Sequence, residues 1–232
     1  IKTEGMEVTL ENVDFTFPGQ KNKTLNALSL QINEGDKIMV TGQNVSGRST
    51  LLQVLAGLYE IQEGGITYNQ LPVDNIEMAS LRSIIGDCLS QERLFHGSLY
   101  DNITMGRPRA TLENVQWVVH EFGLEHYIRS LPKGYDTILG PQGEHLPRSI
   151  VQKLMLARSV VDRPKLLLLE DVFEHLGEDD NRKIMDFVTN PENKWTLVAV
   201  SNDPYLAQKC NRVIIMEQGQ VMIRCQQQQN HR

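Results

Sequence analysis

Long apolar runs and an excess of basic residues are absent from this sequence of 232 residues, and cysteine is scarce. Apolar blocks such as Leu166–Leu169 and Leu197–Val200 are far shorter than the roughly 20 residues that cross a bilayer, so we expect no transmembrane helix within the chain. Three cysteines without a CxxC pair argue against a disulfide framework or a zinc site and fit a reducing compartment. The net charge of −6 argues against nucleic acid as a partner.

Hydrophobic residues make up 40% of the chain, and short apolar runs alternate with helical patterns. This alternation is typical of a parallel sheet covered by helices. The strands predicted for this sheet are Lys37–Val40, Ile84–Leu89, Leu166–Glu170, Thr196–Ser201 and Val213–Glu217. The predicted helices include Ser49–Ala56, Leu112–Phe122, Ser149–Val161, Asp179–Val188 and Tyr205–Cys210.

Other segments depart from this alternation. Apolar and polar residues alternate in an antiparallel β pattern in Glu7–Phe17, Asn26–Ile32 and Gly65–Asn69. Residues from about 91 to 149 are mostly helical in pattern and are interpreted as an inserted helical subdomain. We therefore predict one α/β domain over residues 1–232, with a core of about 1–90 and 150–232. Gln218-Gly219 is the predicted turn of a closing hairpin.

The strongest motif is the segment Gly42–Thr50, between a predicted strand and a predicted helix. In a phosphate-binding loop of this context, backbone N–H groups and the helix N-terminus converge on phosphate oxygens. Ser49 is placed to bind Mg²⁺ and Thr50 to bind a phosphate. The candidate nucleotide-binding residues of the loop are Gly42, Gln43, Asn44, Val45, Ser46, Gly47, Arg48, Ser49 and Thr50.

Two residues of this loop depart from the usual pattern. Arg48 stands where lysine is expected, and it keeps the positive charge on a bulkier, planar group. Val45 stands where glycine is common, and a positive φ there would cost roughly 1–3 kcal/mol. Taken by itself, the segment also fits a strand–helix turn that merely contains glycines.

Further segments follow the loop in a characteristic order, among them Glu92–Ile103, Thr137–Gly143 and Gln152–Arg158. With them the chain resembles the ATP-binding-cassette (ABC) ATPase family from Val8 to Arg224, and specifically its exporter branch. The resemblance implies a P-loop NTPase (RecA-like) core with a mostly parallel sheet. It also implies an antiparallel β layer at the N-terminal side and an inserted helical subdomain.

The resemblance assigns roles to single residues. Phe17 stands where an aromatic ring stacks on adenine, although a core phenylalanine at a strand end is the alternative. Gln91 matches the glutamine that senses Mg²⁺ and the γ-phosphate. Asn202 replaces the histidine after the switch strand; it can donate a hydrogen bond but cannot shuttle a proton.

The signature pentad of the family, Leu-Ser-Gly-Gly-Gln, is replaced here by Leu146, Pro147, Arg148, Ser149 and Ile150. In the family this pentad faces the nucleotide bound to the other domain of a dimer. Pro147 has neither a hydroxyl nor an N–H group to offer. Arg148 places a long side chain where glycine lets the backbone approach phosphate.

The two acids after Leu166–Leu169 occupy the Walker B positions in swapped order, as Glu170 and Asp171. In the family, aspartate comes first and holds Mg²⁺ through water, and glutamate follows and orients the attacking water. The swap displaces each carboxylate by about 1 Å or more, which can lower the rate on the order of 10²-fold. Glu174–Gly177 also lacks the aspartate of the family's dimer loop.

These positions imply ATP and Mg²⁺ as ligands, with Ser49, Gln91 and Glu170 at the metal and with Gln91, Asp171 and Asn202 in catalysis. The implied partners are transmembrane domains outside this chain and a second nucleotide-binding domain, of the same or a different chain. The implied location is the cytoplasmic face of the inner (plasma) membrane.

Because the substitutions affect independent steps, we expect hydrolysis to be slow or absent, with a working ATPase of unusual residues as the alternative. The signature-like helix argues against a P-loop kinase, and the exporter-like segments argue against soluble ABC proteins. A scaffold that binds no nucleotide is a further alternative, which a thermal-shift assay with ATP would separate from the others.

Overall fold

Strands in the computed structural model, which describes residues 4–90 and 92–226, follow the apolar blocks of the sequence. In chain order they are β1 (Val8–Phe15), β2 (Leu25–Ile32), β3 (Lys37–Gly42), β4 (Glu63–Tyr68), β5 (Leu71–Pro72), β6 (Ile85–Cys88), β7 (Gly97–Ser98), β8 (Ile138–Leu139), β9 (Leu166–Glu170), β10 (Thr196–Val200), β11 (Arg212–Glu217) and β12 (Gln220–Gln226). The helices are α1 (Arg48–Leu55), α2 (Met78–Arg82), α3 (Leu99–Thr104), α4 (Leu112–Glu121), α5 (Glu125–Ser130), α6 (Arg148–Val160), α7 (Glu178–Thr189) and α8 (Pro204–Lys209). Across the described residues, no helix has the length and apolar character needed to cross a bilayer.

The main sheet has the strand order β12-β11-β3-β10-β9-β6. Its neighbouring strands are parallel except for the β11–β12 pair, which is the predicted hairpin. Gln218 and Gly219 between those two strands have φ values of 47° and 75°, as a type I′ turn requires. The predicted α/β class with a mostly parallel sheet is confirmed.

A second sheet, of order β2-β1-β4-β5, is the predicted antiparallel layer. The pattern did not predict the short antiparallel pair β7–β8 in the mostly helical region. Strands of two residues are too short to leave a period in the sequence. The proposed division at about residues 90 and 150 stays a prediction.

Alternate side chains of the central strands enter two different apolar clusters, as the two-residue period of a strand dictates. Leu166, Leu168, Val198 and Val200 pack with α1 and the antiparallel sheet. Leu167, Leu169, Leu197 and Ala199 pack on the other face with α4, α6 and α7. With both faces covered, β9 and β10 are buried along their whole length. The first exposed residues after them are Asp171 and Asn202.

Candidate functional site

Three segments leave the main sheet at the same edge. β3, β10 and β9 are neighbouring parallel strands, so Gly42, Ser201 and Asp171 come together at their carboxyl ends. The N–H group of Ser201 donates to the carbonyl oxygen of Val40 at 3.2 Å, and that of Asp171 donates to the carbonyl oxygen of Val200 at 3.1 Å. Ligands of open parallel sheets bind at the carboxyl ends of the strands, so this edge is the candidate site.

The loop between β3 and α1 needs glycine for space as well as for conformation. A Cβ atom on Gly42 would lie 2.2 Å from the carbonyl oxygen of Met216, and one on Gly47 would lie 2.7 Å from that of Thr24. Gly47 has a φ of 95° and is the N-cap of α1, where no side chain caps the helix. The first N–H groups of α1, which lack partners within the helix, therefore remain available to an anion.

Val45 lies at the tip of this loop with a φ of 67° and a side chain that is 99% exposed. A β-branched residue in this left-handed conformation is strained by roughly 1–3 kcal/mol. The strain expected from the missing glycine is therefore present, and no buried contact of the side chain offsets it.

A cleft of about 430 Å³ lies against the loop and is lined by Phe17, Gln20, Thr24, residues 44–50 and Asp171. The hydroxyl of Ser46 is buried here and has no hydrogen-bond partner within the described part of the chain. A buried hydroxyl without a partner destabilises the fold by about 1–3 kcal/mol. The phosphate-binding groups of this cleft are instead the uncapped N–H groups at the start of α1, whose first residues line it. The loop therefore fits a bound phosphate group.

Carboxylates at this edge are too dispersed to hold a metal ion alone: within the described ranges, no three His, Cys, Asp or Glu residues form such a group. Mg²⁺ commonly takes one or two protein ligands together with substrate phosphates, and Ser49 in the first turn of α1 and Glu170 at the end of β9 fit that pattern. Glu170 is buried, and its Oε2 atom accepts a hydrogen bond from the Ser90 N–H group at 2.9 Å. Gln91, the other predicted metal residue, lies outside the described residues.

The contacts of Phe17 fit both roles considered for it, a core residue at a strand end and a ring that stacks on adenine. Its ring packs edge-on against Phe15 and Tyr59, at centroid distances of 4.9 and 5.4 Å, and it also lines the cleft. Tyr59 is 38% exposed and was not predicted as a site residue, since it lies after α1 in a segment without a motif. Stacking of adenine on Phe17 stays a prediction.

Asp171 is in the left-handed conformation, with a φ of 48°, directly after β9. Partial burial raises the pKa of its carboxyl group, and the neighbouring Glu174 raises it further, whereas Arg48 acts in the opposite direction. Asp171 and Glu174 also line a smaller cleft of about 250 Å³ together with Asn202. Glu174 was not predicted as a site residue because the family has no acid at that position.

Asn202 connects the switch strand β10 with the phosphate loop. Its Oδ1 atom accepts a hydrogen bond from the hydroxyl of Thr41 at 2.5 Å and a longer one, at 3.5 Å, from Nη1 of Arg48. Thr41 is part of β3 and was not predicted as a site residue, since a threonine within a strand gives no signal of its own. The predicted residues Arg48 and Asn202 are therefore in direct contact.

The signature segment lies elsewhere. Pro147 is the N-cap of α6, where no side chain caps the helix. Leu146 and Arg148 line a cleft of about 710 Å³ together with Glu170 and Asp171. The cleft at the phosphate loop is lined by none of the described residues 146–150. That this segment faces the nucleotide of a partner domain stays a prediction.

A model of the ABC transporter family matches residues 25–174, more than half of the chain. The chain belongs to the ABC transporter family. This assignment confirms the family recognised from the motifs; the exporter type is supported by the relatives described below, and the changes in the motifs stay predictions. The roles of the individual site residues stay predictions.

Curated relatives are similar over almost the whole chain. P-glycoprotein 14 of Caenorhabditis elegans is 27% identical over 93% of the chain, which covers 16% of that protein. The glutathione/L-cysteine transport system ATP-binding/permease protein CydC of Escherichia coli is 28% identical over 94% of the chain, which covers 38% of CydC. The alpha-hemolysin translocation ATP-binding protein HlyB of Escherichia coli O157:H7 is 29% identical over 92% of the chain, which covers 30% of HlyB. The chain thus spans less than two fifths of each of these transporters.

The fold of the chain matches part of a solved transporter structure. A bacterial Atm1-family ABC exporter with ATP bound matches 97% of the chain with a TM-score of 0.89 and 23% sequence identity, and the chain covers 39% of that structure. The P-loop NTPase fold with its antiparallel layer is thereby confirmed.

Proposed function

We propose that this domain binds Mg²⁺–ATP at the loop between β3 and α1 and couples that binding to transport by transmembrane domains outside the chain, with hydrolysis slow or absent. The observation that carries the proposal is the cleft that joins this loop and the first turn of α1 to Phe17 and Asp171. The uncapped N-terminus of α1 and the cationic Arg48 add a field that favours an anion at the same place.

Phosphate binding depends on groups that the substitutions leave in place. Gly42 and Gly47 keep the backbone shape, and the N–H groups at the start of α1 keep their direction toward the cleft. Ser49 and Glu170 would hold Mg²⁺, which neutralises phosphate charge when it is bound. Glu170 reaches the Ser90 N–H group with its longer side chain, so one of its oxygens already has a donor.

Hydrolysis depends on groups that the substitutions change. Asp171 is one methylene shorter than the glutamate that orients water, and partial burial raises the pKa of its carboxyl group. Asn202 offers a neutral donor where histidine could exchange a proton. Loss of one preorganised donor lowers a rate by roughly 10²–10³-fold, so these changes together predict a rate near the background.

The proposal also covers the place of this domain in a whole transporter. The domain would sit at the cytoplasmic face of the plasma membrane, against its transmembrane domains and a second nucleotide-binding domain. The alternative is a cassette that never hydrolyses ATP and serves as a regulatory or structural partner; the changed signature segment Leu146–Ile150 favours it, because that segment would complete the partner's site.

Isothermal titration calorimetry tests the binding proposal. We expect weak but saturable binding of Mg²⁺–ATP, and we expect Arg48→Ala to weaken it roughly tenfold to a hundredfold, since hydrogen bonds to charged groups contribute about 1.5–3 kcal/mol. Arg129→Ala, on the exposed surface of α5, is the matched control and should bind like the wild type. Absence of heat up to millimolar ATP would mean that the loop no longer binds nucleotide.

A further inference from the structure

Among the residues that the structure describes, the side-chain amide of Asn202 has hydrogen-bond partners at its oxygen end only. Two donors from the phosphate-loop side, the Thr41 hydroxyl at 2.5 Å and Arg48 Nη1 at 3.5 Å, converge on its Oδ1 atom. The position of Thr41 follows from the sheet. β3 and β10 are parallel neighbours with Val40 opposite Val200, so the residues that come after these two valines lie close together at the carboxyl ends of the strands. Thr41 is therefore placed beside Asn202 by the backbone register.

This arrangement selects one of the two orientations of the amide. A guanidinium group has only donors, so the end of Asn202 nearest Arg48 must be the acceptor oxygen. A rotated amide would place its NH₂ group against the guanidinium N–H groups and would leave Thr41 to act as an acceptor. With Oδ1 occupied by these two donors, the Nδ2 group is the end that Asn202 can offer to a ligand in the cleft of about 250 Å³ that it lines; Asp171 lines both this cleft and the one at the phosphate loop.

We propose that Thr41 is a positioning residue that fixes the amide of Asn202, so that Nδ2 donates to the terminal phosphate of bound ATP. This inference rests on the proposed binding of ATP and identifies how this chain distinguishes ATP from ADP. An asparagine side chain by itself rotates broadly about its terminal bond, because that torsion joins sp³ and sp² carbons. Thr41 restricts the rotation before the nucleotide arrives, and a preorganised donor binds more tightly than a free one.

The consequence is specific to the nucleotide. ADP lacks the terminal phosphate, so the orientation of Asn202 affects the affinity for ATP and leaves the affinity for ADP unchanged. A purely structural role of Thr41 in β3 would alter the loop that holds the other phosphates and would change both affinities together.

The test compares ATP and ADP binding, each with Mg²⁺, in the wild type, Thr41→Val and Thr41→Ser. Valine keeps the β-branched shape that suits a strand and removes the hydroxyl, whereas serine keeps the hydroxyl. We expect Thr41→Val to weaken ATP binding roughly threefold to tenfold, the range that one net hydrogen bond accounts for, and to leave ADP binding unchanged. Thr41→Ser should restore the ATP affinity, and Thr67→Val in β4 is the matched control.

Asn202→Ala, alone and combined with Thr41→Val, completes a double-mutant cycle. In that background Thr41→Val should have no further effect on ATP binding, because the amide that Thr41 orients is gone. An equal loss of ATP and ADP affinity in Thr41→Val, or the same loss of ATP affinity with and without Asn202, would overturn the proposal.

A measurement without nucleotide keeps this result separate from the proposed function. The side-chain NH₂ resonances of Asn202, assigned by their loss in Asn202→Ala, should shift in Thr41→Val and stay near the wild-type position in Thr41→Ser. Unchanged resonances in Thr41→Val would overturn the positioning role even if ATP binds. If the wild type binds neither nucleotide, the proposed function fails and the ATP-sensing role fails with it, while the resonances still decide whether Thr41 holds the amide.

Discussion

Arg48, Asp171 and Asn202 each stand at a position where the motifs predict that the family has a different functional group, and each lies on backbone of the family's fold. The loop still curves through Gly42 and Gly47, and β9 and β10 still end at the same edge of the sheet. What has changed is the length of a side chain, its charge or its capacity to exchange a proton. At the scale of the residue, we therefore expect the site to retain its geometry for phosphate and to lose part of its chemistry.

Val45 gives a prediction about strain. Val45→Gly should raise the free energy of unfolding by about 1 kcal/mol, because the relief of roughly 1–3 kcal/mol of left-handed strain exceeds the 0.5–1 kcal/mol entropic cost of glycine. Urea denaturation followed by circular dichroism measures the change. Val45→Ala shortens the exposed side chain but keeps the strain, so it should be nearly neutral. Equal stabilisation by alanine and glycine would contradict this account.

Glu92 gives a prediction about pH. Burial, with a contribution from the neighbouring carboxylate of Asp87, raises the pKa of Glu92 from 4.5 to about 7. Between these values the folded state holds a proton that the unfolded state has released, so the contribution of Glu92 to stability is full at low pH and declines as the pH rises to 7. Glu92→Gln should match the wild type near pH 4.5 and be more stable at pH 8, by on the order of 1–3 kcal/mol.

Urea midpoints of the wild type and Glu92→Gln at several pH values check this expectation. Glu113→Gln, on the exposed first turn of α4, is the control for the same substitution at an exposed glutamate. A difference between the wild type and Glu92→Gln that stays constant from pH 5 to pH 8 would show that the Glu92 proton is not linked to folding.

At the scale of the element, the helices α1 and α6 both begin without a side-chain cap, for different reasons. Gly47 provides no side-chain cap for α1, and the start of this helix lines a cleft. A phosphate bound in the cleft would accept hydrogen bonds from the first N–H groups of the helix. Pro147 begins α6 with neither a hydroxyl nor an N–H group, and its φ of −55° and ψ of 138° place it in the extended region from which a serine would cap the helix. The two open ends match the two halves of a shared nucleotide site in the family.

Pro147→Ser tests the start of α6. The serine hydroxyl would accept a hydrogen bond from one of the first N–H groups of the helix, and we expect it to raise the free energy of unfolding by about 1 kcal/mol. Pro147→Ala removes the ring without adding an acceptor and separates the cap from the loss of proline. Thermal denaturation of both variants measures the difference; equal stability of the serine and alanine variants would mean that the start of α6 gains nothing from a cap.

At the scale of the whole molecule, the order β3-β10-β9 decides which residues act together. Arg48, Asn202 and Asp171 are distant in sequence but follow neighbouring strands, so their effects on a bound nucleotide cannot be independent. Groups that act as a unit show strongly non-additive effects on rate. Repair of one position alone is therefore expected to restore little activity.

The repaired variant combines Arg48→Lys, Glu170→Asp, Asp171→Glu and Asn202→His. We expect ATP hydrolysis in this variant to exceed the product of the gains from the separate repairs, as measured by phosphate release at saturating ATP. The exchange of the two acids alone is the control for carboxylate placement. A repaired variant that binds ATP and releases no phosphate would assign the deficit to Pro147 and Arg148, which face the partner's nucleotide in the family arrangement.

The sequence by itself determined the elements of the main sheet, the phosphate loop and the family. Runs such as Leu166–Leu169 predict buried strands because period and composition are local properties, and a loop motif is a local spacing. The strain at Val45 was also predictable, since it depends on one residue and its φ. Short elements such as the β7–β8 pair left no signal, because a period needs more than two residues.

Only the tertiary structure decided how the ends of the strands combine. The contact of Thr41 with Asn202 and the hydrogen bond from Ser90 to Glu170 each join residues whose separation in sequence carries no pattern, or whose type carries no motif. Strand order and register create these contacts, and both are set by the packing of the whole sheet against its two apolar clusters. A sequence can therefore predict which groups are available, whereas the fold decides which of them meet, because the distances between strand ends are fixed by hydrogen bonds between strands far apart in the chain.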